Sequence, residues 1–593
     1  MNTVLLLMKL AFLAASTAGW CLWAAHRFGL KIEQTPLAVI SSLGCAMSAA
    51  ALLNIIAPVR LALQLAGLGL LVWVLVRRRA ALTPWLCARG AVYPVLCGVL
   101  LLLSRGGTIS SHDNFSHWAI MAKTLVTGGQ LPNTANTAVQ FVGYPPATAC
   151  WIDYVCSTVG LSDGMMLFAQ GLVVLAGAWA VAGLCPKGRP SGWLTAAAAL
   201  LVLLAGNPVP LSDLRVDGLL ATQAAGTLAL VLALRRTPER AALAALPCLT
   251  FLILIKNSGI FFIFCVLAVV WFWLLTAPGG VWRDRITAGG LCSAVPLASY
   301  WLWLRHVAMV FPEGASSKHA VSLSGYEAIF GGKSAEDIAQ FNRLFWQHLA
   351  PGSGTGDGRR LLLVLGLAAL TAAVLWVSGP HTMHKNLLPL AACLLGEAGW
   401  LVCLWGTYTL SMNTSEMLVL ASFERYHTTM LQFLFAAVGM LLLIRLGESE
   451  RVRAFGLRTA CAAAALALAV VFLPVGQHGA QALYSRTPWR DPYGTQQPVL
   501  GLKQQYGLTD GSRYLFYTRH SGIDTWSLGY VARYVLNTNT ADFWQFEEEW
   551  FSIDELYANY DYLVVLHRDG EIEQFLAENG YDPAADCVHL LRS

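Results

Sequence analysis

The chain has 593 residues, 56% hydrophobic and only 12% charged, with 39 Lys and Arg against 34 Asp and Glu. Its mean hydropathy is +0.56. Soluble domains carry about 25% charged residues, so this balance excludes a cytosolic enzyme, a disordered chain and a nucleic-acid binder and reads as a polytopic membrane protein.

A bilayer-crossing helix needs about 17–25 mostly apolar residues, and about fourteen runs answer that description. They lie at 3–25, 37–57, 61–76, 90–104, 165–184, 193–206, 218–234, 242–255, 258–276, 287–304, 361–378, 387–411, 427–444 and 459–476. The first has a weak basic start and no clear small-residue cleavage site, so it reads as a span and not as a signal peptide. The stretch 242–273 reads as a tight hairpin around Lys256-Asn257-Ser258-Gly259. Of the 14 Cys, only Cys150, Cys156 and Cys587 fall in segments expected in water, without disulfide or zinc-ligand spacing.

Orientation follows from Lys and Arg in the short connections. One parity gathers Arg27, Lys31, Arg77, Arg78, Arg79, Arg89, Lys187, Arg189, Arg235, Arg236, Arg240, Arg283, Arg285, Lys385, Arg445, Arg451, Arg453 and Arg458. The other carries only Arg60, Arg215, Lys256 and Arg425 in its short turns. The basic side is expected to be cytoplasmic. The expected segments are spans over 1–104, a long outer loop 105–164, spans over 165–305, a second outer loop 306–360, spans over 361–476 and an outer tail 477–593. The inner connections have no Gly-rich phosphate loop and no room for a nucleotide domain, so an activated substrate would arrive attached to lipid.

The residues able to do chemistry fall almost entirely on the outer side. In the first loop, Asp113 precedes Phe115, Trp118, Ala119 and Ala122, whose spacing predicts an amphipathic helix along the membrane surface. His117 lies one turn beyond Asp113. Asp113 reads equally well as an N-cap or as a catalytic carboxylate. His117 alone reads as a packed histidine, and Trp118 and Tyr144 as interfacial anchors. Gly143-Tyr144-Pro145-Pro146 predicts a rigid turn opening a second helix through Trp151 and Tyr154. Further outer groups are Asp213-Leu214-Arg215-Val216-Asp217-Gly218, Lys256, and Ser422-Phe423-Glu424-Arg425-Tyr426-His427. Ionisable groups so near hydrocarbon line an aqueous cavity or pair with one another, for instance Asp217 with Lys256. Glu397 is an acid in mid-run with no partner evident from sequence.

The second loop carries Ser316-Ser317-Lys318-His319 and a predicted helix over 334–348. The tail predicts a small α/β domain, with strands over 513–518, 562–567 and 587–591 and a helix over 569–579.

Asp113-Asn114-Phe115-Ser116-His117-Trp118, with Tyr144-Pro145-Pro146, resembles a bacterial branch of the GT-C membrane glycosyltransferases, which use polyprenyl-phosphate-linked sugars. Val216-Asp217-Gly218-Leu219-Leu220, Leu254-Ile255-Lys256-Asn257-Ser258-Gly259 and Ser422-Phe423-Glu424-Arg425-Tyr426 fit the same pattern, over roughly 100–430. The resemblance implies an inverting transfer of sugar from a polyprenyl-phosphate donor to a hydroxyl acceptor, a cell-envelope glycan or glycolipid, on the extracytoplasmic face of the plasma membrane. It makes Asp113 the base and Arg425 the first choice for the leaving phosphate, then Lys256, with Lys318 and His319 as loop-borne candidates. His117 would orient Asp113 or touch the phosphate, and Tyr144 and Asp217 complete the expected substrate site. Asn114 stands where such enzymes often carry a second acid, which counts against a metal held by an acid pair. A divalent metal is left open, with Asp217 as a second carboxylate. The competing readings are a polysaccharide polymerase or ligase using diphosphate-linked glycans, and a lipid-linked-sugar transporter or flippase.

Overall fold

A computed structural model describes residues 3–136, 138–185, 190–312, 327, 329–352, 356–377, 380–448, 481–545 and 551–590. Thirteen of the fourteen apolar runs fall on helices, and the run at 459–476 lies outside the described residues, as do Lys318 and His319. The helices are α1 Thr3–Phe28, α2 Thr35–Leu52, α3 Ile56–Arg77, α4 Thr83–Leu86, α5 Ala88–Ser104, α6 Ala119–Gly128, α7 Ala147–Val159, α8 Asp163–Ala182 and α9 Pro190–Ala205. They continue with α10 Asp217–Ala233, α11 Pro238–Ile253, α12 Gly259–Thr276, α13 Trp282–Val310, α14 Ala335–Leu349, α15 Gly356–Val377, α16 Pro380–Leu410, α17 Thr414–Leu418 and α18 Phe423–Glu448. Among the described residues, eight helices are long and apolar enough to cross a bilayer, and shorter apolar helices such as α10 pack among them.

Small residues permit the closest crossings. A Cβ on Gly226 of α10 would stand 2.7 Å from the Cα of Gly177 on α8, and one on Gly177 would stand 2.5 Å from Thr222 O. These two helices are buried along nearly their whole length.

Among the described residues, charged contacts between connections join segments of the same parity. On one face, Arg89 Nε meets Glu33 Oε1 at 2.7 Å, Arg285 Nε meets Glu239 Oε1 at 3.1 Å, and Arg235, Arg236 and Arg445 line one cavity. On the other, Arg60 pairs with Asp153 at 2.7 Å, and Asp113, Asp217, Lys256 and Arg425 converge.

The tail forms a four-stranded sheet with β1 Tyr514–Tyr517, β2 Ala541–Trp544, β3 Tyr562–Val565 and β4 Cys587–His589 in the order β2-β1-β3-β4. The first three strands are parallel and β4 is antiparallel to β3. Helices α19 Gln497–Tyr506, α20 Thr525–Val535, α21 Ile553–Asn559 and α22 Gly570–Glu578 cover it. Side-chain caps start three of these four helices: Asp524 for α20, the Ser552–Glu555 capping box for α21 and Asp569 for α22. Sequence alone predicts β1, β3, β4 and α22, but misses β2, whose ADFW has neither a β-branched residue nor regular alternation.

The segment after Asp113 departs from the expected surface helix. Residues Asn114–Trp118 form a π-helical turn leading into α6, and both pieces are buried between the membrane helices and the tail domain. Gly129 ends α6 with φ of +68°, a backbone geometry that suits glycine.

Candidate active site

Asp113 does not cap its helix. Its side chain makes no hydrogen bond to the first-turn backbone. Instead Arg425 NH1 of α18 donates to Asp113 Oδ2 at 2.5 Å. The π-helical turn that follows widens the helix just where its residues must meet three surroundings at once, a common setting for such turns. Asn114 donates to Asp213 Oδ1 at 3.1 Å, Ser116 O accepts from Gln140 N at 3.0 Å, and Phe115 meets Tyr534 of the tail at 5.3 Å.

Arg425 also reaches the second acid of the cluster, with Nε 3.5 Å from Asp217 Oδ2. That distance is an ion pair without a hydrogen bond, and the buried Nε–H has no acceptor among the described residues. Lys256 Nζ donates to the other oxygen, Asp217 Oδ1, at 2.7 Å. This is the mutual pairing read from sequence as the alternative to a cavity-facing role, yet both residues also line a cavity. Asp217 opens α10, where the helix N-terminus favours a carboxylate. The next position must be glycine, because a Cβ on Gly218 would collide with the side chain of Asn207.

Arg215, 2.8 Å from Asp213, adds a fourth ion pair nearby. The ring of Tyr426 lies beneath both cations, 4.8 Å from Lys256 Nζ and 5.2 Å from Arg425 Cζ. Tyr426 was within reach of sequence reasoning as the neighbour of Arg425, but nothing in its spacing marked it as the floor of the site.

His117 is buried against Trp118, Phe141 and Tyr144, with ring centroids 4.4, 6.4 and 4.8 Å away. Burial, assisted by the Lys256 charge and opposed by Asp113, brings its pKa down to about 3. The imidazole is therefore neutral at ordinary pH, and Asp113 hydrogen-bonds Arg425, not this ring. Tyr144 stacks on Trp118 at 5.4 Å and reaches the cavity wall. Burial and the nearby Tyr426, Asp217 and Asp113 raise its phenol, so it stays protonated. The turn holding Tyr144 is fixed from two sides: Trp303 Nε1 donates to Gly143 O at 3.1 Å, and Ala147 N to Leu254 O at 3.0 Å.

For Asp113 itself, burial favours the neutral acid, but the Arg425 charge and hydrogen bond, with Arg215 beyond, outweigh it and hold the carboxyl below its ordinary range. The Asp113 side chain is 40% exposed and that of Asp217 only 5%. One acid thus faces water while the other is sealed.

Asp217 and Lys256 of the charged cluster stand at the polar end of a cavity of about 510 Å³, with Arg425 and Asp113 behind them and outside its lining. Tyr144, Asp217, Lys256, Asn257 and Tyr426 line that end, and Phe261, Phe264, Trp400, Leu404 and Leu410 line the rest. Its walls are α12 and α16, so it runs between two membrane helices. Among the described residues, no group of three or more His, Cys, Asp or Glu is arranged to hold a metal ion. The guanidinium of Arg425 fills the place between Asp113 and Asp217 that a shared cation would need, so these residues do not fit a metal held by that acid pair.

A second polar network, in which sequence marked Glu397, Glu424 and His427 but neither their partners nor Asp357, Arg360 and Thr428, braces the same stretch of α18. His427 Nε2 meets Glu397 Oε1 at 2.7 Å, and Thr428 donates to Asp357 at 3.1 Å. Arg360 reaches Asp357 at 3.4 Å and Glu424 at 3.2 Å and also bonds Thr428. Residues 424, 427 and 428 thus turn one side of α18 to α15 and α16, leaving Arg425 to turn toward Asp113.

No family model matches the sequence, and no curated protein matches it. Among solved structures, the chain is similar to ArnT from Cupriavidus metallidurans, described in a crystal structure bound to undecaprenyl phosphate. The identity is 14%, the match covers 86% of this chain and 99% of that chain, and the TM-score is 0.45.

Proposed function

We propose that this chain is a membrane glycosyltransferase that moves a sugar from a polyprenyl-phosphate carrier to a hydroxyl acceptor on the extracytoplasmic face, with inversion. The observation that carries the reading is the charge cluster at the mouth of an apolar cavity between α12 and α16. An isoprenoid chain suits the walls, and its phosphate suits Arg425 and Lys256. Phosphate recognition favours Arg, whose planar fork donates two parallel bonds to one anion. The acceptor-less Nε–H of Arg425 is a donor already positioned for that purpose.

Arg425 and Lys256 are held by Asp113 and Asp217. An arriving phosphate therefore competes with a carboxylate for its cation. Asp217 is nearly buried and held by two cations, while Asp113 is more exposed and, among the described residues, held by Arg425 alone, so Asp113 is the partner that yields. Release from Arg425 raises its basicity at the moment when donor is bound. The acceptor hydroxyl then attacks the anomeric carbon, its oxygen–carbon bond forming as the carbon–phosphate-oxygen bond breaks. The proton passes to Asp113 and the bonding electrons leave with polyprenyl phosphate. Neutral His117, packed under the same turn, holds the position of Asp113's helix without competing for the anion.

The test is purified protein with a panel of polyprenyl-phosphate and polyprenyl-diphosphate sugars, scored for release of the free lipid carrier with and without divalent cations. Release from monophosphate donors is expected. Turnover confined to diphosphate donors would replace this reading by the polymerase or ligase alternative. Movement of intact donor across vesicles without release would replace it by the transporter alternative.

A further inference from the structure

The tail domain reaches the residues around Asp113 through one face of α20. That helix buries Tyr530, Val531, Tyr534 and Val535. Tyr534 meets Phe115, and the edge of Tyr530 meets His112 at 4.8 Å. Trp526 lies one turn before Tyr530, and its indole lies flat over the His112 ring, with centroids 4.0 Å apart and planes 17° apart. The edge of Tyr530 also meets Trp526, at 5.5 Å and 88°. Two aromatic contacts therefore fix the indole, yet Trp526 is 62% exposed. A tryptophan held in this way and left this open is a large apolar surface that no further described residue covers. It stands on the residue immediately before the proposed base.

From this arrangement we infer that Trp526 is the stacking platform for the acceptor, and that the acceptor is a carbohydrate whose apolar ring face rests on the indole. The assignment rests on the transferase reading and names the substrate class that would meet Asp113. A pyranose suits the platform because its axial C–H bonds make one face apolar, and those weakly positive hydrogens are drawn to the negative face of an aromatic ring. Its hydroxyls project at the rim, where one must reach Asp113 to lose its proton. A lipid chain is a poorer occupant. The apolar cavity between α12 and α16 is lined by membrane helices, whereas Trp526 belongs to the tail domain and is not part of that lining. A fixed ring also loses little conformational entropy when a ligand lands on it.

The experiment uses the full-length purified protein and the lipid-phosphate sugar that the donor panel identifies. The acceptor probe is the combined glycolipid and polysaccharide extract of the producing cell envelope, titrated by total hexose. Trp526→Ala is expected to raise the extract concentration giving half-maximal transfer about tenfold, the scale of one aromatic contact of ~1.4 kcal/mol. The donor concentration for half-maximal rate should move less than twofold, and Trp526→Tyr should recover most of the loss. An unchanged acceptor requirement in Trp526→Ala would overturn the assignment. So would a parallel loss in donor half-saturation and maximal rate, which would make Trp526 a prop for His112. If the wild-type protein releases no lipid phosphate from any donor, the transferase reading itself fails, and this assignment falls with it.

Discussion

In the proposed transfer Asp113 and Arg425 divide one ion pair into two tasks, and each role predicts its own mark on the kinetics. Replacing Asp113 by Asn or Ala removes the proton acceptor while leaving the α18 network in place, so transfer should fall by about 10²–10⁴, the usual worth of a general base. Thermal unfolding should fall only by the worth of one partly exposed ion pair, about 0–1 kcal/mol, and normal transfer at normal yield would end the base assignment. The depressed carboxyl also fixes a sign for pH dependence. In the free enzyme Asp113 remains ionised down through the ordinary carboxylate range. Its ion pair therefore contributes its full stability above the ordinary Asp titration at about pH 4, and that contribution declines as pH falls from there through the depressed value of the folded state. Because bound phosphate draws Arg425 away, the acid limb of kcat should lie at higher pH than the acid limb of kcat/KM. Steady-state rates between pH 3 and 8 measure both limbs, and their coincidence would mean that donor binding does not loosen the pair. Arg425→Lys keeps the charge but loses the fork, so donor half-saturation should rise while unfolding changes little.

At the scale of elements, α18 carries the site because its other side is clamped. His427 and Glu397 are both buried, and their 2.7 Å contact ties α18 to α16. Removing one member of a buried pair strands the other and typically costs about 3–5 kcal/mol. Glu397→Ala should therefore lower stability on that scale in detergent unfolding, with Glu397→Gln losing less because it still bonds the imidazole. Equal stability of both variants with wild type would show that the pair contributes little to the clamp. The neighbouring α10 depends on shape more than charge. Gly177 and Gly226 let α8 and α10 meet backbone to backbone, which in turn sets Asp217 opposite Arg425.

Across the whole molecule, the tail domain acts as the outer wall of the site. Lys123 of α6 donates to Tyr534 O at 2.6 Å, Asn539 bonds the backbone at Ala135 and Ala138, and Tyr534 OH bonds Asp163. These contacts hold the segment at Lys123 and at its far end, Ala135 and Ala138. The double variant Lys123→Ala, Tyr534→Phe should speed amide exchange over 112–128 and reduce transfer, while exchange in α8 and α10 keeps its wild-type rate. Unchanged protection of 112–128 would show that the membrane helices alone order the segment.

Several features were legible in the residues themselves. Runs of apolar side chains must leave water whatever their partners, so thirteen helices sit where hydropathy puts them, and the described charged contacts between connections keep to one Lys/Arg parity. Asp113, Asp217, Lys256 and Arg425 stood out because an ionisable group beside hydrocarbon always needs a partner or a cavity. Only the tertiary structure decided which partner each one took. Asp113 caps nothing and instead meets a guanidinium 312 positions away, Glu397 finds His427, and a tryptophan in the tail comes to rest beside the first loop. Periodicity records which side of a helix avoids water, a property of neighbours in sequence. Ion pairs and stacked rings between distant segments depend on how whole helices cross, and no local pattern carries that information.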